Sequence, residues 1–143
     1  MKRFVVVAGL MVSASVVQAG ETAEGTVTGF HKALEQGDKV SALAALSDTV
    51  RIFEQGWVES SKAEYASHHL DSDIAFAKVV KSNTTDVDVQ VEGATAVVTR
   101  QSTTKGTFEG KPVDSVGLET MVLRKVEGDW KIVHIHWSSR KAK

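Results

Sequence analysis

The feature that most constrains this chain is its C-terminal half, where hydrophobicity repeats with a period of two. The last such stretch runs Trp130-Lys131-Ile132-Val133-His134-Ile135-His136-Trp137-Ser138-Ser139-Arg140. Strict alternation puts Trp130, Ile132, His134 and His136 on one face, and Lys131, Val133, Ile135 and Trp137 on the other. Both faces carry apolar residues, so this is expected to be a central or interface strand rather than a free edge. Three similar stretches precede it. Val87, Val89 and Val91 alternate with Asp86, Asp88 and Gln90, and Glu92-Gly93 turns the chain. Ala96 to Thr104 is rich in β-branched residues. Val116 to Val126 places Glu119, Met121 and Leu123 on one side, and Glu127-Gly128-Asp129 leads into the last strand. Lys105-Gly106 and Glu109 to Pro112 bracket an expected loop.

The N-terminal half reads differently. Val27, Phe30 and Leu34 recur at helical spacing up to Gly37, a C-cap residue, and Asp38 N-caps a second short helix with Val40, Leu43, Ala44 and Leu46. Val50-Arg51-Ile52-Phe53-Glu54 is a strand, with Trp57-Val58-Glu59 as a brief hairpin arm. Ser61 and Glu64 form a capping box that opens a helix through Tyr65, His68, His69 and Leu70. Asp71-Ser72-Asp73 interrupts it, and Ile74 to Val80 forms a further short helix. Helices clustered before a run of strands imply an α+β domain, its helices covering one face of a curved antiparallel sheet. Such a cone keeps a pocket at its wide end. Val133, Ile135 and Trp137 on the uncovered face argue for a partner.

The first residues stand apart. Lys2 and Arg3 precede an apolar run from Phe4 to Val17, and Val17-Gln18-Ala19 offers small residues at the positions signal peptidase reads. Residues 1–19 are therefore expected to be a cleaved secretory signal. The run is shorter than the ~20 residues needed to span a bilayer, so no membrane association is expected after cleavage. Residues 20–143 would form one domain, periplasmic or secreted. Without Lys2 and Arg3 the chain carries 15 basic against 18 acidic residues, a net −3. It has no basic run to suit nucleic acid. It also has no cysteine, which excludes thiolate metal sites and thiol catalysis and leaves stability to the core.

These elements together resemble the nuclear transport factor 2-like superfamily and, within it, the SnoaL-like group. The resemblance rests on the helix pair ending in Gly37-Asp38, the strand Val50 to Glu54 and the Ser61 to Leu70 helix. It rests further on Gly117-Leu118-Glu119-Thr120-Met121-Val122-Leu123 and the closing Trp130 to Ser139 block. The association domain of calcium/calmodulin-dependent kinases ends in a similar Val-His-x-His segment. The resemblance implies a cone-shaped α+β fold, an internal pocket and homodimers packed sheet to sheet. It implies no particular activity, because the superfamily includes isomerases, cyclases, dehydratases and proteins without known catalysis.

The chemistry on offer is histidine and carboxylate. Ketosteroid isomerase, a relative in that superfamily, pairs an Asp base with an oxyanion hole of Tyr and protonated Asp. Here Tyr65 is the one tyrosine, Glu54, Glu59 and Glu119 are the candidate carboxylates, and no clear match to that constellation is evident. Arg100 and Glu119 fall on neighbouring strands, where a cross-strand ion pair is the ordinary outcome and capture of a ligand carboxylate the alternative. The leading expectation is a small-ligand pocket lined by Glu54, Trp57, Glu59, Tyr65, His69, Arg100, Glu119, His134 and His136. A second is a copper or zinc site in which His68 or His69 meets His134 and His136, if the Tyr65 helix covers their face. A third is an isomerase or hydrolyase with a His or Glu base. His31 is expected at a surface or edge.

Overall fold

A computed structural model describes residues 22–143, so the expected signal segment lies outside the described residues. Helix α1 (Ala23–Gln36) starts where the Thr22 hydroxyl accepts from Gly25 N–H at 2.9 Å, satisfying a donor the helix cannot use itself. Val27, Phe30, Ala33 and Leu34 form its buried stripe. Gly37, at φ 72°, reverses the chain and lets Asp38 N–H reach the Ala33 carbonyl at 2.8 Å. Asp38 then caps α2 (Lys39–Ala44) through Ser41 N–H. The capping box forms at α3 (Lys62–His68), with Ser61 Oγ accepting from Glu64 N–H and a Glu64 oxygen accepting from Ser60 N–H. Asp71 and Asp73 do not break the following segment. They occupy the first turn of α4 (Leu70–Val79), where negative charge is favourable, and the chain bends one step earlier at His69.

Six strands follow the order β2-β1-β6-β5-β4-β3: β1 (Leu46–Glu54), β2 (Trp57–Glu59), β3 (Lys81–Glu92), β4 (Thr95–Phe108), β5 (Lys111–Val126) and β6 (Asp129–Lys141). The sheet is mixed rather than wholly antiparallel, because β1 joins β6 in parallel. The expected loop around Lys105 to Pro112 shrinks to a turn at Glu109-Gly110, and Thr107 pairs with Pro112 across it. Helices α1 to α4 lie against one face, and the core between the layers holds Phe30, Leu46, Val50, Tyr65, Met121, Leu123, Ile132 and Ile135. None of the described helices is long and apolar enough to cross a membrane.

One irregularity decides where the chemistry goes. Leu123 pairs with Ile132 and Val122 with His134, so β6 carries an extra residue, Val133, opposite a continuous β5. This β-bulge inverts the alternation downstream. Trp130 and Ile132 face the core, as does Ile135, while Trp137 packs against that core. His134 and His136 therefore lie on the opposite face from Trp130 and Ile132, contrary to the simple period-two reading.

Candidate functional site

Where α1 and α4 diverge from the far half of the sheet, they leave a cavity of about 260 Å³. On the helical side Leu34, Phe76, Ala77 and Val80 form an apolar patch beside His31, Glu35 and Asp73. Its sheet wall is a band of hydroxyls: Ser82, Ser102, Thr104, Ser115 and Ser139. These fall opposite one another because Ser82 pairs with Thr104, Thr104 with Ser115, and Ser102 with Gly117. Gly117 keeps the band open, since a Cβ there would come within 3.2 Å of Ser102 Oγ.

Besides the exposed Glu35, two groups of carboxylates line this cavity. The first is Glu119, delivered by β5 and almost fully buried. His31 Nε2 lies 2.8 and 3.1 Å from its two oxygens, Trp137 Nε1 donates at 2.5 Å, and Arg100 Nη1 stands 3.8 Å away. Burial alone would raise the Glu119 pKa, but the contacts to His31, Trp137 and Arg100 outweigh it and hold the carboxyl below its ordinary value. Arg100 is further fixed by Thr84 Oγ1 at 2.5 Å.

The second group is Glu54 with Asp73. Burial is the main reason that the pKa of each is raised, and the Asp73 charge pushes Glu54 up further while His69 opposes the rise. The buried Tyr65 hydroxyl donates to Asp73 Oδ2 at 2.7 Å, and burial together with the Asp73 charge pushes the phenol far above its ordinary pKa, so it stays a proton donor. Behind this pair is a recess of about 10 Å³ bounded by Trp57, Glu59, Tyr65 and His69, which shares Glu54, Asp73 and Trp137 with the main cavity.

The expected pocket residues thus divide. Glu54 and Glu119 line the cavity. Trp57, Glu59, Tyr65 and His69 bound the recess, although Trp57 is 72 % exposed. Arg100 supports Glu119 from the next strand in the ion pair that cross-strand register predicts. His134 and His136 line neither cavity. They lie on the outer face against Phe53, with ring centroids 4.8 and 6.2 Å from it, and His134 Nδ1–H donates to the Arg51 carbonyl at 2.9 Å. The expected convergence of His68 or His69 with His134 and His136 does not occur, because the bulge turns the latter pair outward. His68 and His69 meet Glu59 instead.

The hydroxyl band and the apolar patch escaped the sequence reading, and so did three residues with more pointed chemistry. His31 was expected at the surface, yet it lies four residues from Val27 and three from Leu34, on the margin of the buried stripe. Asp73 follows Tyr65 and His69 at intervals of four, a helical spacing obscured by the apparent Asp-Ser-Asp break. Trp137 had been assigned to an outward face, and its ring instead stacks on Phe30 at 6.4 Å.

Comparison with known proteins agrees with this architecture. Residues 24–140 match the model of the SnoaL-like domain. A candidate ketosteroid isomerase from Shewanella frigidimarina shares 37 % identity, with a TM-score of 0.79 over 87 % of this chain and 98 % of that one. A candidate dehydratase of the NTF2-like family from Streptomyces avermitilis shares 26 % identity, with a TM-score of 0.66 over 82 % and 92 %. The CaMKII hub of S. rosetta, at 23 % identity and a TM-score of 0.66 over 90 % and 100 %, shares the fold. Comparison with curated proteins returned no match. With helices packed on a six-stranded mixed sheet around a cone-shaped cavity, and with the match spanning nearly all described residues, the chain belongs to the SnoaL-like domain family of the nuclear transport factor 2-like superfamily.

Proposed function

We propose that this protein is an exported binding domain whose cone takes a compact organic molecule with an apolar body and a hydrogen-bonding edge. The observation that carries this reading is the two-sided cavity, with Leu34, Phe76 and Val80 facing a band of serine and threonine hydroxyls. A volume of about 260 Å³ sits just below the range of about 300–1,000 Å³ common for ligand pockets, which favours one or two rings over a large ligand. Export is supported by Lys2, Arg3, the apolar run to Val17 and the Ala19 site, and implies a periplasmic or secreted protein. Phe53, Val58, His136 and Leu118 on the outer face support a homodimer packed through the sheet.

A second reading, an isomerase or hydrolyase, is favoured by one specific observation. A buried carboxyl pair of raised pKa, of which Asp73 accepts from the Tyr65 hydroxyl, shares a cavity with Glu119, whose pKa is lowered. Environments that push carboxyl pKa values apart suit one group to give a proton and another to remain charged. Glu54 would move the proton, and the Tyr65–Asp73 pair would hold its position.

The test is titration of cyclic enones and their saturated ketones into the protein, followed by intrinsic tryptophan fluorescence, with Gly117→Val as the blocked control. Saturable binding lost by at least tenfold in Gly117→Val supports the pocket reading, and equal response of both proteins sinks it. Deuterium exchange into a bound β,γ-enone, absent in Glu54→Gln, would select the second reading.

A further inference from the structure

Outside the main cavity, at the junction of β2 and α3, a buried carboxylate is only half satisfied. The Glu59 side chain is 7 % exposed. Its Oε1 accepts from His69 Nδ1–H. Its Oε2 is buried without any hydrogen bond, an uncommon and costly state for a carboxylate oxygen. His68 Nδ1 stands 3.4 Å from that oxygen, outside useful hydrogen-bond geometry. Glu64 lies one helical turn before His68, on the same face of α3. One ligand atom from each of Glu59, Glu64 and His68 falls within 4.8 Å of the others.

We propose that Glu59, Glu64 and His68 form a binding site for a divalent cation of the zinc or copper type, adjoining the recess through Glu59 rather than the main cavity. Neighbouring ligand atoms on a tetrahedral ion with bonds of ~2.0–2.1 Å are about 3.3 Å apart, which the Glu59 Oε2–His68 Nδ1 separation already matches. Glu64 completes the triad by a shift of at most about 1.5 Å, well within one side-chain rotamer adjustment. Mixed carboxylate and imidazole donors, with no thiolate, suit Zn(II) or Cu(II), and three protein ligands leave a fourth position for water. The supporting bonds are in place. His69 holds the other oxygen of Glu59, and Ser60 N–H holds one oxygen of Glu64 at 2.6 Å. His68, 59 % exposed, provides the entry side, and buried Glu59 the anchor. His134 and His136 have no part in this site.

The experiment is isothermal titration of the untagged full chain with Zn(II), and separately with Cu(II), checked by native mass spectrometry. One ion per chain is expected. His68→Ala should abolish that binding, as should Glu64→Gln, which keeps the helix cap while removing the charge. His69→Ala should weaken binding about 10–100-fold. The His134→Ala/His136→Ala double variant should bind like the parent. No ion bound, binding retained in His68→Ala with a native circular dichroism spectrum, or binding lost in the outer-face double variant would each overturn the proposal.

Discussion

Glu119 and the Glu54–Asp73 pair line one cavity, and both are substantially buried, yet their environments drive them in opposite directions. Glu119 meets three side-chain nitrogen groups, from His31, Trp137 and Arg100, and its carboxyl is held below its ordinary pKa. Glu54 meets another acid and little else, and Asp73 has one phenol, so both rise. Burial acts on both with the same sign, so the difference comes from partners. A cavity can therefore lower the carboxyl pKa at one wall and raise it at another without any difference in residue type.

The largest effect expected from breaking this contrast is at Glu119. Glu119→Ala leaves Arg100, His31 and the Trp137 N–H without their shared acceptor, and should cost about 3–5 kcal/mol in urea unfolding at pH 7. A loss below about 1 kcal/mol would mean the network contributes only placement. Next comes Trp137→Phe, which keeps the ring on Phe30 but removes one hydrogen bond to a charged group. About 1.5–3 kcal/mol is expected by the same assay, with the remaining Glu119 contacts intact.

The smallest change has the opposite sign and sharpens the comparison. Glu54→Gln removes a carboxylate that burial and Asp73 disfavour, so the variant should be as stable as the parent or more so at pH 7. Its stability profile should separate the two groups. A depressed folded pKa, as at Glu119, contributes stability above the unfolded carboxyl value of about 4.3 that is lost as pH falls through the folded value. A raised folded pKa, as at Glu54 and Asp73, contributes stability that is full below the unfolded value and is lost as pH rises through the folded value. Glu54→Gln should therefore flatten the decline on the higher-pH side and leave the acid limb unchanged. Destabilisation of Glu54→Gln at neutral pH would remove the distinction between the two walls.

Much of the architecture was legible in advance because its signals are local. Gly37 with Asp38, Ser61 with Glu64, and Glu127-Gly128 act within a few residues of themselves, and each marks a helix end or turn where expected. The pairing of Arg100 with Glu119 was also accessible, since hairpin turns set antiparallel register. The Asp-Ser-Asp segment misled because the same residues that favour a break also favour a helical first turn. The parallel β1–β6 pair was hidden by its separation in sequence, with two helices and four strands between the partners.

By itself the sequence determined the element types, the α+β class and the residue chemistry, all of which depend on composition and short-range period, and its motif blocks carried the resemblance to the family. Only the tertiary structure decided which carboxyl pKa is lowered and which raised, which histidine enters the cavity and which pair turns away. His31 reaches Glu119 across 88 positions, a contact that exists only once α1 lies on the sheet. Val133 decides the rest, because side chains alternate every residue along a strand and one unpaired residue exchanges the two faces for all that follow. Alternation says which side chains share a face, and a bulge says where that rule restarts.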